Sequence, residues 1–209
     1  MTPPLLSTTY FGPVEWYALL ARHREVWLEA CETFPKQTYR NRCHIASGGG
    51  RLSLSVPVEG ASSGHTPVKD VRLSDHGNWR RQHWHALQTA YGDSPFFVYY
   101  ADDLHTFFER QWTHLWDMNL AIIECMCQLL DIHPVIHETT TYEHTPSAYA
   151  DMRTAIHPKL PLPDTCPMVG PYYQAFAHRK GFMPHLSILD LLCNEGTEGI
   201  LTLLKPKGK

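Results

Sequence analysis

The first thirty residues predict a strand, a helix and a second strand, and this pattern constrains the fold more than any other stretch. Leu5–Tyr10 is β-prone, and Phe11-Gly12-Pro13 interrupts it. Val14–His23 has helical apolar spacing, and Val26–Ala30 is typical of a strand. Such a unit joins two parallel strands by a right-handed crossover. Because the loop after the first strand lines the binding crevice of α/β sheets, we expect Tyr10–Glu15 to form a site wall.

The remaining chain predicts further strands and then mainly helices. Strands are predicted at Tyr39–Ser47, Arg51–Val58 and Val68–Leu73, and helices at Trp79–Tyr91, Asp102–Asp131, Ser147–Ile156, Leu186–Gly196 and Thr197–Leu204. Ser187 is the expected cap of the last long helix, and Gly196 its stop. We therefore expect one α/β domain over residues 1–209. Its N-terminal mixed sheet (1–75) would begin with the βαβ unit, and a mainly helical half (76–209) would pack on it.

Composition limits the possible partners. Eighteen Lys and Arg face 21 Asp and Glu, giving a net charge of -3, so a nucleic-acid partner is not expected and any anion site must be local. The six cysteines are too sparse for a disulfide scaffold, which indicates free thiols in a reducing cytosol. Neither a signal peptide nor a membrane-spanning segment is recognisable. A cytoplasmic protein is therefore expected, and its oligomeric state stays open.

The stretch Lys36–Ile45 concentrates cations without a carboxylate. If it is extended, Arg40, Arg42 and His44 project from one face, and Asn41, Cys43 and Ile45 from the other. Two guanidiniums about 6.5–7 Å apart would suit a phosphate or carboxylate. Lys36, Arg40, Asn41 and Arg42 are accordingly candidate substrate-binding residues. The alternative is a solvated strand face with an apolar reverse side.

Acid–base chemistry has one candidate, His83, which lies one helical turn from Trp79 and beside Arg80. An imidazole suits a general base, although a histidine between tryptophans is as often a packed structural residue. Aromatic and arginine side chains could also stack on a base or sugar ring. Trp79 and Arg80 are therefore further candidates for substrate binding, together with Tyr10.

Three polar residues on apolar helices are also candidates for substrate binding. Asn119 interrupts an apolar stripe and needs a buried partner or a ligand. Asp190 and Asn194 are separated by one turn, so they could orient the arginines or only cap local backbone. No metal motif, no nucleophile motif and no Gly-rich phosphate loop occurs, so we predict neither a metal nor another cofactor.

Taken in order, these blocks resemble the WbqC-like family of bacterial proteins. The matching segments include Tyr39-Arg-Asn-Arg-Cys-His-Ile45, Leu54-Ser-Val-Pro-Val58, Lys69-Asp-Val-Arg-Leu73, Trp79-Arg-Arg-Gln-His-Trp84, Ser94-Pro-Phe-Phe97 and Leu186-Ser-Ile-Leu-Asp-Leu-Leu192. Members of this family occur with loci for surface-polysaccharide biosynthesis, of O-antigen or capsule. The resemblance therefore implies a role in that pathway.

Two function classes follow from the residues and the resemblance. The leading hypothesis is a group transferase acting on a phosphorylated or nucleotide-activated sugar. In this hypothesis Lys36, Arg40 and Arg42 hold the anionic group, and His83 handles a proton. The alternative is a non-catalytic protein of the same pathway that uses the cationic face for binding or assembly.

Overall fold

A computed structural model describes residues 2–59 and 65–205 of the chain. The strands are β1 (Pro4–Leu6), β2 (Glu25–Leu28), β3 (Arg42–Ser47), β4 (Gly50–Ser55), β5 (Val58–Glu59), β6 (Arg72–Leu73), β7 (Val135–Glu138) and β8 (Ala150–Asp151). The helices are α1 (Val14–Arg22), α2 (Trp79–Tyr91), α3 (Phe97–Glu109), α4 (Leu115–Leu129), α5 (Ala177–Lys180), α6 (Ile188–Glu195) and α7 (Gly199–Leu204). Short 3-10 turns occupy Tyr39–Asn41, Val68–Asp70, His76–Asn78 and Gly196–Glu198.

The opening strand–helix–strand unit forms as predicted, and with it the α/β fold class is confirmed. β1 and β2 are parallel, with Leu5 opposite Trp27 and Leu6 opposite Leu28. Pro13 stands just before α1 with φ -69°, the backbone angle that a proline ring imposes. The sheet has the order β7-β2-β1-β8, and its described strand pairs are parallel. β1 and β2 therefore lie at its centre.

Two strands of this sheet come from the half that was predicted to be mainly helical. β7 pairs with β2, and β8 pairs with β1. The short helix predicted at Ser147–Ile156 is wrong, because this segment supplies β8. Ala150 donates its backbone N–H to the Pro3 carbonyl, and Met152 donates to Leu5. Pairing with the open edge of β1 satisfies backbone groups that a three-stranded sheet would leave free.

The strands between residues 42 and 73 form two separate antiparallel ladders. In the first, β3 pairs with β4, from Arg42 opposite Ser55 to Ser47 opposite Gly50. In the second, β5 pairs with β6. The strands predicted at Tyr39–Ser47 and Arg51–Val58 are therefore present as β3 and β4, over shorter ranges. The strand predicted at Val68–Leu73 is present only at β6, since residues 68–70 form a 3-10 turn.

The single long helix predicted at Asp102–Asp131 is wrong, because residues 110–114 break it into α3 and α4. The break pairs with β6. Leu73 donates its N–H to the Thr113 carbonyl at 3.0 Å, and Leu115 donates to Val71 at 2.9 Å. These backbone contacts require an extended chain at 113–114. Tertiary pairing therefore outweighs the helical spacing of the side chains.

One apolar core extends from the first strand to the last helix. It unites α1, α4 and α6 with one face of β1 and β2, and its fully buried members include Leu6, Tyr17, Leu28, Met118, Ile122 and Leu189. The six cysteines are free thiols, as predicted. In the described parts of the chain, no helix combines the length and apolarity needed to cross a bilayer.

Both ends of α6 follow the prediction, and the glycine at its C-terminal end supplies a test of backbone strain. Ser187 caps the helix by accepting the Leu189 N–H, and Gly196 ends it with φ +60°. A Cβ at Gly196 would lie 2.7 Å from the Phe96 ring. Gly196→Ala should therefore lower the free energy of unfolding by about 1–3 kcal/mol, the usual cost of such a backbone conformation.

Urea denaturation followed by circular dichroism measures this change. Gly48→Ala is the control, because a Cβ there meets nothing within 4 Å. Equal stability of the two variants would contradict the assignment of strain to Gly196.

Candidate functional site

Buried polar residues collect at the carboxyl edge of the parallel sheet. Ser7, Glu29, Thr139 and Arg153 each follow one of its strands or lie two residues beyond it, and each is at most 9% exposed. Glu29 accepts hydrogen bonds from Thr139 Oγ1 at 2.6 Å and from Arg153 Nη1 at 3.0 Å. Ser7 Oγ donates to the Arg153 carbonyl. This edge is the usual position of a binding crevice in α/β sheets.

Arg40 belongs to the same polar layer. Its Nε and Nη2 donate to the two carboxylate oxygens of Glu32 at 2.7 and 2.6 Å, and Nη2 also contacts Ser7 Oγ. Both side chains of the ion pair are almost inaccessible, at 5% and 8%. Nε and Nη2 of the guanidinium are therefore both committed to protein acceptors.

The predicted arginine fork is consequently wrong in its geometry. Residues 39–41 form a 3-10 turn rather than a strand, so Arg40 does not share a face with Arg42. Arg42 begins β3, and its Nε donates to Ser55 Oγ at 3.0 Å. Lys36 is exposed on the preceding loop, and Asn41 Nδ2 donates to the Val56 carbonyl at 2.8 Å. The four residues do not converge on one ligand.

The antiparallel hairpin instead presents a different cationic face. Arg42 lies opposite Ser55, and Arg51 lies opposite Ala46, so Arg42, His44 and Arg51 are on one side. Cys43 is buried on the other side, in the core, as predicted. Burial and the two arginines lower the pKa of His44 to about 4. Sequence reasoning missed Arg51, because only the hairpin register places it on this face.

A cleft of about 280 Å³ lies beside this face. Its walls are Tyr39 and Arg51 of the hairpin region, the segment 156–162 and His185. Arg51 Nη2 donates to the Pro184 carbonyl at 2.6 Å and so holds the loop that carries His185. Lys159 Nζ contacts Gln37 Oε1 across the rim. The cleft is thus bordered by two cationic side chains, Arg51 and Lys159.

A carboxylate–histidine pair stands at the wall of this cleft, with His185 as its lining member. Glu15, in the first turn of α1, is 2% exposed, and its Oε1 lies 2.8 Å from His185 Nδ1. His185 lines the cleft with a side chain that is 35% exposed. Its backbone has φ +59°, a conformation rare outside glycine that often marks a functional site.

The Glu15–His185 pair has a defined chemical capacity. An ionised Glu15 accepts the Nδ1 hydrogen, and this fixes the tautomer in which Nε2 is the free proton acceptor. A buried carboxylate also stabilises the imidazolium that forms when a proton is taken up. The site can therefore accept a proton from a bound group and hold an anion beside it.

His83, the base predicted from the sequence, lies elsewhere. It is 5% exposed, and its Nδ1 is 2.8 Å from Tyr10 Oη. Burial lowers the pKa of His83 to about 4 and raises that of Tyr10 well above its usual value. Trp79 packs edge-on against its ring at 5.3 Å. His83 therefore has the packed environment named as the alternative to a general base.

Asp190 and Asn194 stand apart from the arginines. Asp190 is buried and accepts a hydrogen bond from Tyr172 Oη at 2.7 Å, while Asn194 Nδ2 donates to the Asp190 carbonyl. Burial raises the pKa of Asp190 to about 6. The Asn194 contact matches the local backbone role foreseen as the alternative, whereas the Asp190 carboxylate binds the side chain of the distant Tyr172.

Asn119 has buried hydrogen-bond partners, as its position in an apolar helical stripe requires. Its Nδ2 donates to the Arg40 carbonyl at 2.8 Å and to Thr8 Oγ1 at 3.3 Å. Trp79 and Arg80 border a separate region, where the guanidinium stacks on the indole at 4.7 Å. The predicted substrate-binding residues therefore fall into several places rather than one site.

Comparison with known proteins shows to which family this chain belongs. The model of the WbqC-like protein family matches residues 8–160, so the chain belongs to that family. The uncharacterized protein Rv1507c of Mycobacterium tuberculosis is 27% identical over 188 residues, which are 79% of this chain and 81% of the relative. No solved structure matches the chain.

The buried ion pair of Arg40 supplies a stability test. Arg40→Met leaves Glu32 buried without its cation, so the free energy of unfolding should fall by about 3–5 kcal/mol. Arg42→Met is the matched control, because Arg42 is partly exposed and bonds a serine; its cost should stay below about 1 kcal/mol. Urea denaturation distinguishes the two. Similar losses in both variants would argue against a structural role specific to Arg40.

Acid titration tests the environment of His83. Its folded-state pKa of about 4 lies below the ordinary value near 6.5, so unfolding takes up a proton between these pH values. Stability should therefore fall as the pH drops from about 6.5 to 4, with His44 contributing in the same direction. Asp190, whose pKa is raised to about 6, acts oppositely between about pH 4 and 6.

His83→Gln should make the net fall in stability smaller, because one proton-uptake site is lost on unfolding. Denaturation midpoints at pH 7 and 4.5 measure this fall in stability for each protein. Gln82→Ala, an exposed non-titrating change on the same helix, is the control. An unaltered pH dependence in His83→Gln would overturn the assignment.

Proposed function

We propose that this member of the WbqC-like family is a cytoplasmic group transferase of surface-polysaccharide biosynthesis, acting on a phosphorylated or nucleotide-activated sugar. The observation that carries the proposal is the 2.8 Å contact between buried Glu15 and His185 at the end of a cation-lined cleft. A buried carboxylate that orients a partly exposed histidine is a common arrangement for moving protons in catalysis.

The proposed reaction assigns the proton to His185. An acceptor hydroxyl or amine attacks the activated group of the bound substrate, and His185 Nε2 removes its proton. A new bond forms to the acceptor, while the bond to the phosphate or nucleotide leaving group breaks. Glu15 keeps the imidazole in the competent tautomer and stabilises its protonated form. His185 thus takes the role that the sequence had suggested for His83.

Anion recognition falls to the rim of the cleft. Lys159 and Arg51 supply fixed positive charge, and phosphate oxygens accept hydrogen bonds from both side-chain types. The pKa of Tyr39 is raised to about 12 by burial, so its hydroxyl stays protonated and can donate. The pKa of His157 is lowered by burial and by its cationic neighbours Lys159 and Arg40, which favours a neutral ring. The rim of the cleft thereby combines fixed positive charge with neutral hydrogen-bond donors.

The position of the cleft also supports the proposal. Glu15 stands in the first turn of the helix that follows β1, within the loop region expected to form a site wall. The ion pair of Arg40 with Glu32 fixes the 3-10 turn that carries Tyr39 and leads into the hairpin of Arg51. Rigid support of this kind preserves the small distances that group transfer requires.

Ligand screening followed by two variants tests the proposal. Thermal-shift measurements should find stabilisation by a sugar phosphate, a nucleotide sugar or a coenzyme A thioester. Lys159→Gln should then weaken binding of that compound about tenfold, whereas Lys180→Gln, an exposed lysine on α5, should leave it unchanged. No stabilisation by any of these anions would refute a ligand site of this class.

His185→Gln separates catalysis from binding. Binding of the compound found by the screen should persist, and turnover should fall roughly 10²–10⁴-fold, the usual contribution of a general base. Glu15→Gln should also lower turnover, since the tautomer is no longer fixed. Binding without turnover in the unaltered protein would instead support the non-catalytic role in binding or assembly.

A further inference from the structure

A second cleft, of about 420 Å³, lies between the first turn of α2 and the end of α3. It shares no lining residue with the cleft at His185. Its walls comprise Asp75, Asn78, Arg80, Arg81, Trp84, His105, Phe108 and Gln111. The volume is within the range of roughly 300–1,000 Å³ that is typical of small-molecule sites.

The charges around this cleft are predominantly positive. Arg80 and Arg81 line it, against one carboxylate, Asp75. Asp75 is ion-paired with Arg80, so it does not offset Arg81. In residues 2–59 and 65–205, Arg81 is exposed and makes no ion pair. The first turn of α2 also contains no acidic residue, which leaves two cations at the positive end of the helix dipole.

One donor in the wall of the cleft lacks an acceptor. Arg80 Nε is buried, and no described protein atom accepts its hydrogen. The side chain is 13% exposed and is held against the Trp79 ring at 4.7 Å. A buried donor without an acceptor costs about 1–3 kcal/mol. The Arg80 guanidinium is thus fixed in the wall of the cleft by Asp75 and by the Trp79 ring.

We infer that this cleft binds the phosphate or diphosphate group of a small molecule. Arg80 and Arg81 supply guanidinium donors that match phosphate oxygens. Asn78 and Gln111 add neutral amide donors. Trp84, tilted by 32° against the His105 ring at 4.5 Å, forms an aromatic wall that suits an organic group attached to the phosphate. The inference does not depend on the transfer reaction proposed for the other cleft.

Isothermal titration calorimetry with inorganic pyrophosphate, ADP and UDP tests the inference on the full chain. At least one of these probes should bind, and its affinity should fall as the salt concentration rises. Arg81→Gln should reduce the affinity about fivefold or more, without loss of stability because the side chain is exposed. Binding of pyrophosphate alone indicates recognition of the phosphate group, and stronger binding of a nucleoside diphosphate indicates that the aromatic wall contributes.

Two control variants locate the binding site. Arg179→Gln removes an exposed arginine from α5 and should leave the affinity unchanged. Lys159→Gln alters the cleft at His185 and should also leave the probe affinity at this second site unchanged. Absence of binding by all three probes at millimolar concentration would overturn the inference. So would loss of all binding in Lys159→Gln together with full binding in Arg81→Gln.

Discussion

The buried ion pair between Arg40 and Glu32 is the interaction on which the arrangement of the site depends. It ties the chain after β2 to the turn before β3, and the contact of Arg40 with Ser7 adds the end of β1. Asn119 of α4 binds the Arg40 carbonyl, so a central helix is fixed to the same point. Because a buried charge is tolerated only when it is paired and hydrogen-bonded, the elements that supply these partners are held together.

This constraint explains why Arg40, a candidate anion-binding residue in the sequence, is buried rather than exposed to a ligand. A phosphate that replaced Glu32 at Nε and Nη2 of Arg40 would leave that carboxylate buried without its cation. We therefore assign the proposed anion binding to Arg51 and Lys159, which lie on the exposed border of a cleft. Residue type indicates the kind of group that can be bound, and burial decides which residue is free to bind it.

Local patterns predicted the opening βαβ unit, α2, the β3–β4 hairpin and the limits of α6, because their signals lie in neighbouring residues. The predictions failed where distant backbone partners decide the structure, as at the 110–114 break and at β8. The site was harder to predict for the same reason. Glu15 stands in a segment expected to be a site wall, but its partner His185 is 170 positions away in a loop without a motif.

The two clefts differ in a way that bears on their proposed roles. The cleft at His185 combines cations with a buried carboxylate that bonds an imidazole, so it can exchange a proton with a bound group. In the cleft at Arg81, the lining carboxylate Asp75 is ion-paired with an arginine, which remains protonated at neutral pH. Its chemistry suits recognition of charge rather than proton transfer. This difference is why we propose catalysis at the His185 cleft and phosphate binding at the Arg81 cleft.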